Sequence, residues 1–140
     1  MSDNTFMLEI VTPEQILLKD EVQFVIVPEM NGELGVLKNH APLIAALNTG
    51  ILRYTDPVGA VKKIAVSGGF MEVIYNEARV LAETAEHGED IDVLRAKASR
   101  ERAEKRLSQK DEKLNYSRAQ MSLQRAIIRL KVANALEDKR

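Results

Sequence analysis

Four arginines and one aspartate in the last third of the sequence have types and spacing that could do chemistry. If the run after Gly88 folds back on itself near Lys110, residues whose numbers sum to about 221 face each other. Arg95 then lies opposite Arg125, and Asp92 lies opposite Arg129. Arg102 follows Arg95 by about two helical turns and stays on nearly the same face. Guanidinium groups gathered in this way repel one another unless an anion is shared between them, and their planar forks match phosphate oxygens. The chemistry on offer is the binding of a polyanion. The alternative reading is a solvated basic face on an alanine-rich hairpin.

Nothing in the sequence adds a reaction to that binding. The two histidines, His40 and His87, sit in no ligand spacing and read as a turn residue and a linker residue. There is no cysteine, hence no thiolate nucleophile, disulfide or sulfur-ligated metal. No serine occupies a nucleophile elbow. Ser67-Gly68-Gly69 lacks the Lys-Ser/Thr and the helix that a phosphate loop requires, so it reads as a turn or bulge.

The elements that must position the arginines change character at Gly88, the last glycine of the 140 residues. Before it, β-branched residues alternate with polar ones between glycines and prolines. After it, the chain is rich in Ala, Leu, Lys, Arg, Gln and Glu and free of Gly and Pro. The two parts are oppositely charged. Residues 1–88 carry 6 Lys/Arg against 12 Asp/Glu, a balance of −6, and residues 89–140 carry 14 against 9, a balance of +5. Between Lys113 and Leu136 stand Lys113, Arg118, Arg125, Arg129 and Lys131 with no acid among them, so the helical part is expected to seek anions. No 18-residue apolar run and no basic-then-apolar leader is present, so any membrane contact is expected to be indirect.

Two domains are expected, a β-sandwich over residues 1–86 and a two-helix hairpin over 87–140. Strands are placed at Phe6 to Val11, Ile16 to Leu18, Val22 to Val27 ending at Pro28, Leu34 to Leu37, Leu43-Ile44, Ile51 to Tyr54, Val61 to Val66, Phe70 to Tyr75 and Ala78 to Leu81. Asn31-Gly32 is expected to be a tight turn. Helices are expected at about 90–108, capped by Asp90, and at about 112–136. Ile91, Leu94, Ala98, Ala103 and Leu107 are assigned to the inner face of the first helix. Ala119, Leu123, Ala126, Leu130 and Ala133 form the seam of the second.

Three stretches carry a resemblance: Gly32-Glu33-Leu34-Gly35-Val36-Leu37 followed by Asn39-His40-Ala41-Pro42-Leu43-Ile44, then Ser67-Gly68-Gly69-Phe70, then Ile91-Asp92-Val93-Leu94-Arg95-Ala96. Over essentially its whole length the sequence resembles the epsilon subunit of the bacterial F-type ATP synthase. The resemblance implies a flattened ten-stranded β-sandwich followed by an antiparallel two-helix hairpin. It also implies a non-catalytic place on the central rotor stalk, against the gamma subunit and the c-ring, at the cytoplasmic face of the cell membrane. The hairpin is expected to fold compactly or to extend toward the catalytic alpha/beta head, where it blocks ATP hydrolysis.

The last stretch looks like the ATP-binding motif of family members that bind nucleotide. Carried over position by position, the implied site is Glu86, Asp92, Arg95, Arg102, Arg125 and Arg129, with Ile91 and Ala96 as packing residues. Asp92 is expected to order Arg95 and Arg129, and Glu86 to meet a hydroxyl or amine of the nucleotide. Arg106 lies on the same helix outside the motif. No metal and no cofactor is implied, and regulatory ATP is the ligand. The competing reading is a β-sandwich scaffold with a helical partner-binding tail and no nucleotide site. Nucleic acid is disfavoured by the acidic sandwich and by aromatic residues that form no stacking platform.

Overall fold

The computed structural model describes residues 4–108 and 116–134, which fall into two compact units, Met1–Glu86 and His87–Arg140. The first unit contains eight strands among the described residues: β1 (Phe6–Val11), β2 (Ile16–Val22), β3 (Phe24–Glu29), β4 (Gly32–Leu37), β5 (Leu43–Ala46), β6 (Gly50–Thr55), β7 (Val61–Ile74) and β8 (Glu77–His87). Their order is β2-β1-β8-β7-β6-β3-β4, with β5 also paired to β7. The ladders are antiparallel except for β1 with β8, where Glu9 pairs with Arg79 in parallel register.

Eight strands stand where ten were expected, and the glycines explain part of the difference. The stretches Val61 to Val66 and Phe70 to Tyr75 are not separate strands, because β7 runs through Ser67-Gly68-Gly69 without a break. Its first half pairs with β6 and its second half with β5. Gly68 and Gly69 have φ of +67° and +111°, and a Cβ on Gly69 would stand 2.0 Å from the carbonyl oxygen of Leu81. Only glycine lets the strand bend that close to its neighbour. One strand thereby serves both layers of the sandwich. The turn after it, Tyr75-Asn76, has φ of 51° and 59°, the two positive values of a type I′ hairpin.

Other boundaries differ from the sequence reading as well, β2 running to Val22 and β8 to His87. The stretch Val22 to Val27 is divided at Gln23, whose backbone N–H donates to Thr55 O (2.8 Å) and whose Nε2 donates to Pro57 O (2.9 Å). Pro28 does not end β3 but sits inside it opposite Glu33, beyond Ile26, the last residue of β3 paired with β6. No ladder bond is demanded of its missing N–H there. The turn from β3 to β4 is Met30-Asn31, one residue earlier than Asn31-Gly32.

Alternation fills the core. Phe6, Leu8 and Ile10 of β1 are buried while Met7, Glu9 and Val11 face outward, and Val25, Val27, Leu52, Ile64, Met71 and Val80 meet them from the other strands. Each such side chain contributes roughly 1.5–3 kcal/mol by leaving water. On the outer face, Glu9 accepts from Arg79 Nε at 2.8 Å and lies 3.8 Å from Lys19 Nζ, across three neighbouring strands.

The second unit opens with a single 3-10 turn, Gly88–Asp90, followed by α1 (Val93–Ser108) and α2 (Tyr116–Asn134), which pack together as an antiparallel hairpin. The first helix starts later than expected. Asp90 belongs to the 3-10 turn, and Asp92 is the cap, its Oδ1 accepting the backbone N–H of Arg95 at 3.0 Å. The inner face of α1 runs through Ala96 and Ala103, both buried, and not through Leu94, which is 79% exposed. Of the expected α2 seam, Ala119, Ala126, Leu130 and Ala133 are buried and Leu123 is half-buried. Seven-residue spacing of alanine on both helices lets the two axes approach closely. The expected turn at Lys110, and the helical residues 112–115 and 135–136, lie outside the described residues.

Candidate functional site: an arginine flank on the helical hairpin

The alanine seam fixes where the arginines go. Each residue that precedes a seam alanine lies about 100° to one side of it on its own helix. In an antiparallel pair the same sense of rotation on both helices points to the same flank of the hairpin. Arg95 and Arg102 precede Ala96 and Ala103, and Arg125 precedes Ala126. Arg129 is one turn beyond Arg125, so all four share that flank. Arg106 and Arg118 fall on it as well, nearer the connector, which the motif alone does not reveal. Lys97 falls on the opposite flank.

The flank is graded in exposure. Arg95 and Arg102 on α1 are exposed, whereas Arg125 and Arg129 on α2 are half-buried and the Nε of Arg129 is buried. Nη2 of Arg125 donates to Ser122 Oγ at 3.1 Å. Outside the flank, Arg100 pairs with Glu104 at 3.0 Å across one helical turn. An array of guanidinium groups with exposed members beside held ones can receive several anionic oxygens at once, and it offers no general base to act on them.

The other expected site residues have definite places. Asp92 holds the first turn of α1 by accepting the backbone N–H of Arg95. Ile91 is buried and donates its N–H to Gly88 O (3.3 Å), and Ala96 is fully buried. Both pack within the helical unit. Glu86 is half-buried at the end of the first compact unit. His40 does what a turn residue does, its Nδ1 lying 2.7 Å from the carbonyl of Ala41.

Sequence reasoning missed two contributors. Ser122 could have been found by its place three residues before Arg125, a helical neighbour. Gly88 carried no signal beyond being the last glycine, yet a Cβ there would stand 3.0 Å from Val132 O and 3.1 Å from Val132 Cγ1. The 3-10 turn therefore lies against the final turns of α2, a contact that only a residue without a side chain permits in comfort.

The cap makes a first prediction. Asp92→Ala should lower the stability of the hairpin by about 1 kcal/mol, and Asp92→Asn should restore most of it, since the amide oxygen can also accept the Arg95 N–H. Denaturant melts of the helical signal check this. Equal loss in both variants would show that the charge of Asp92, and not its cap, is what matters.

Comparison with known proteins places the chain. Residues 5–88 match the family described as "ATP synthase, Delta/Epsilon chain, beta-sandwich domain", and residues 89–134 match "ATP synthase, Delta/Epsilon chain, long alpha-helix domain". The ATP synthase epsilon chain of Syntrophomonas wolfei is 62% identical over 133 residues, covering 95% of this chain and 97% of that one. That of Desulfitobacterium hafniense strain Y51 is 51% identical over 129 residues, covering 92% and 96%. A chain in the structure of the Euglena gracilis mitochondrial ATP synthase shares the fold, with a TM-score of 0.78 at 23% identity, covering 94% of this chain and 81% of that chain. Two family domains in series, together spanning nearly all of the described residues, leave one assignment: the chain belongs to the ATP synthase delta/epsilon chain family.

Proposed function

We propose that this chain is the epsilon chain of an ATP synthase, a non-catalytic subunit of the central stalk that helps couple proton flow to ATP synthesis. Its hairpin restrains ATP hydrolysis, and the compact form of that hairpin binds regulatory ATP. Identity of 62% with an epsilon chain across 95% of this chain is the observation that carries the reading. The β unit supplies a stiff body with a face for a partner. Ile16, Leu81 and Phe70, on three strands, are 60%, 50% and 57% exposed, an apolar surface that a stalk subunit such as gamma or the c-ring can cover. No helix among the described residues is long and apolar enough to cross a membrane, so attachment at the cytoplasmic face of the cell membrane is through those partners.

ATP fits the arginine flank because a triphosphate brings enough anionic oxygens to bridge both helices. Arg95 and Arg102 come from α1, and Arg125 and Arg129 from α2, so only the packed hairpin presents all four. A ligand shifts a conformational equilibrium by its differential affinity, so ATP favours the packed form and its depletion favours extension toward the alpha/beta head. Deleting residues 113–140 removes the acid-free basic helix, and hydrolysis by the assembled enzyme should rise severalfold. It should rise less when only Arg125 and Arg129 are replaced by alanine. The test is co-purification of the tagged chain with the rotary complex, followed by hydrolysis assays at low and high salt. Failure to co-purify overturns the stalk assignment, and an unchanged hydrolysis rate in the truncated complex overturns the inhibitory one.

A further inference from the structure

We infer that Ser122 is a positioning residue for Arg125, an inference that rests on reading the arginine flank as a nucleotide site. Its hydroxyl holds Nη2 of Arg125 at 3.1 Å, one turn toward the N-terminus of α2. Long side chains on a helix already lean toward its N-terminus, so the bond selects one of the allowed rotamers without forcing a new one. The contact is part-buried and Ser122 is half-buried, so water competes for the hydroxyl less than it would on an open surface.

The chemistry of the pair suits anion binding. A guanidinium has five N–H donors, and Ser122 Oγ accepts from only one nitrogen, which leaves the rest of the fork to meet phosphate oxygens. A free arginine side chain carries large rotamer entropy, part of which is lost on binding a ligand. An arginine already held by a neighbour loses less at that moment, and the affinity gain appears without any contact between Ser122 and the ligand. A neutral hydroxyl does this without cancelling the positive charge, as a carboxylate at the same position would. The bond to Ser122 fixes the direction of Arg125 before any ligand arrives.

Isothermal calorimetry of the full chain with ATP, read as a double-mutant cycle, tests this. Ser122→Ala should weaken ATP binding about 3- to 10-fold, the worth of one ordinary hydrogen bond. Its melting temperature should stay level or rise, because alanine is the better helix former. Ser122→Thr, which keeps a hydroxyl, should bind within about twofold of the parent chain. In an Arg125→Ala background, Ser122→Ala should cost nothing further, because there is no side chain left to aim. The inference is overturned if Ser122→Ala binds ATP as the parent does, or if its loss is the same with and without Arg125. These results would leave the nucleotide site standing as long as Arg125→Ala itself weakens binding. If the parent chain binds no ATP at millimolar concentration, the site and the positioning role fall together.

Discussion

Gly69→Ala is expected to leave the β unit unable to hold its fold. The new Cβ would stand 2.0 Å from the carbonyl oxygen of Leu81 and 2.8 Å from the Cα of Ala82, both backbone atoms of β8 that no rotamer change can move aside. The φ of +111° is itself a conformation that side-chain-bearing residues rarely adopt. To relieve both, β7 must part from β8 where it passes between its β6 and β5 ladders, and buried Met71 and Val66 flank that point. A loss of about 4 kcal/mol or more is expected, against a total of about 5–15 kcal/mol for an ordinary domain. Denaturant unfolding of the purified variant measures it. Gly59, with a φ of +91° but open space around it, is the comparison: Gly59→Ala should cost only its backbone strain, about 1 kcal/mol. Similar losses at both positions would mean that the close approach to β8 is not what matters at Gly69.

Arg95→Ala is expected to reduce ATP affinity ten- to a hundredfold, the effect of removing a charge-assisted contact of about 1.5–3 kcal/mol. Arg95 is exposed and its removal strips no core, so the change should appear in binding and not in the melting temperature of the unliganded chain. Lys97→Ala is the control. Lys97 is also exposed and also cationic, on the same helix but on the opposite flank, so loss of net charge alone would affect both variants equally. Calorimetry with ATP, ADP and GTP, with and without magnesium, compares the three chains. Equal weakening by Lys97→Ala and Arg95→Ala would reduce the flank to a diffuse basic surface and remove the site.

Much of the helical unit was legible because helices are local. The seam residues Ala119, Ala126, Leu130 and Ala133 and the placement of Arg95, Arg102, Arg125 and Arg129 on one flank follow from 3.6-residue periodicity together with a fold back on itself, which sequence spacing conveys. The start of α1 was not legible. Asp90 and Asp92 are both competent caps, and only the 3-10 turn at Gly88–Asp90 decides that Asp92 receives the Arg95 N–H. Leu94 was misassigned for a related reason: hydrophobicity marks it as core, but it stands two residues before buried Ala96, about 200° around the helix, and so turns away from the seam.

In the β unit, alternation alone determined which residues of β1, β6 and β8 face inward, since a pleated strand turns its side chains with a period of two. The ladder was decided elsewhere. That Val61 to Ile74 is one bent strand depends on the backbone of Leu81 and Ala82 passing beside Gly69, twelve residues away in the chain. That Glu9 lies between Arg79 and Lys19 depends on a parallel pairing of the first strand with the last. Pairings between distant segments leave no trace in local composition, because hydrogen bonds between backbones are made by groups every residue shares. The sequence by itself determined what each segment could become, and the tertiary structure decided which partner each would meet.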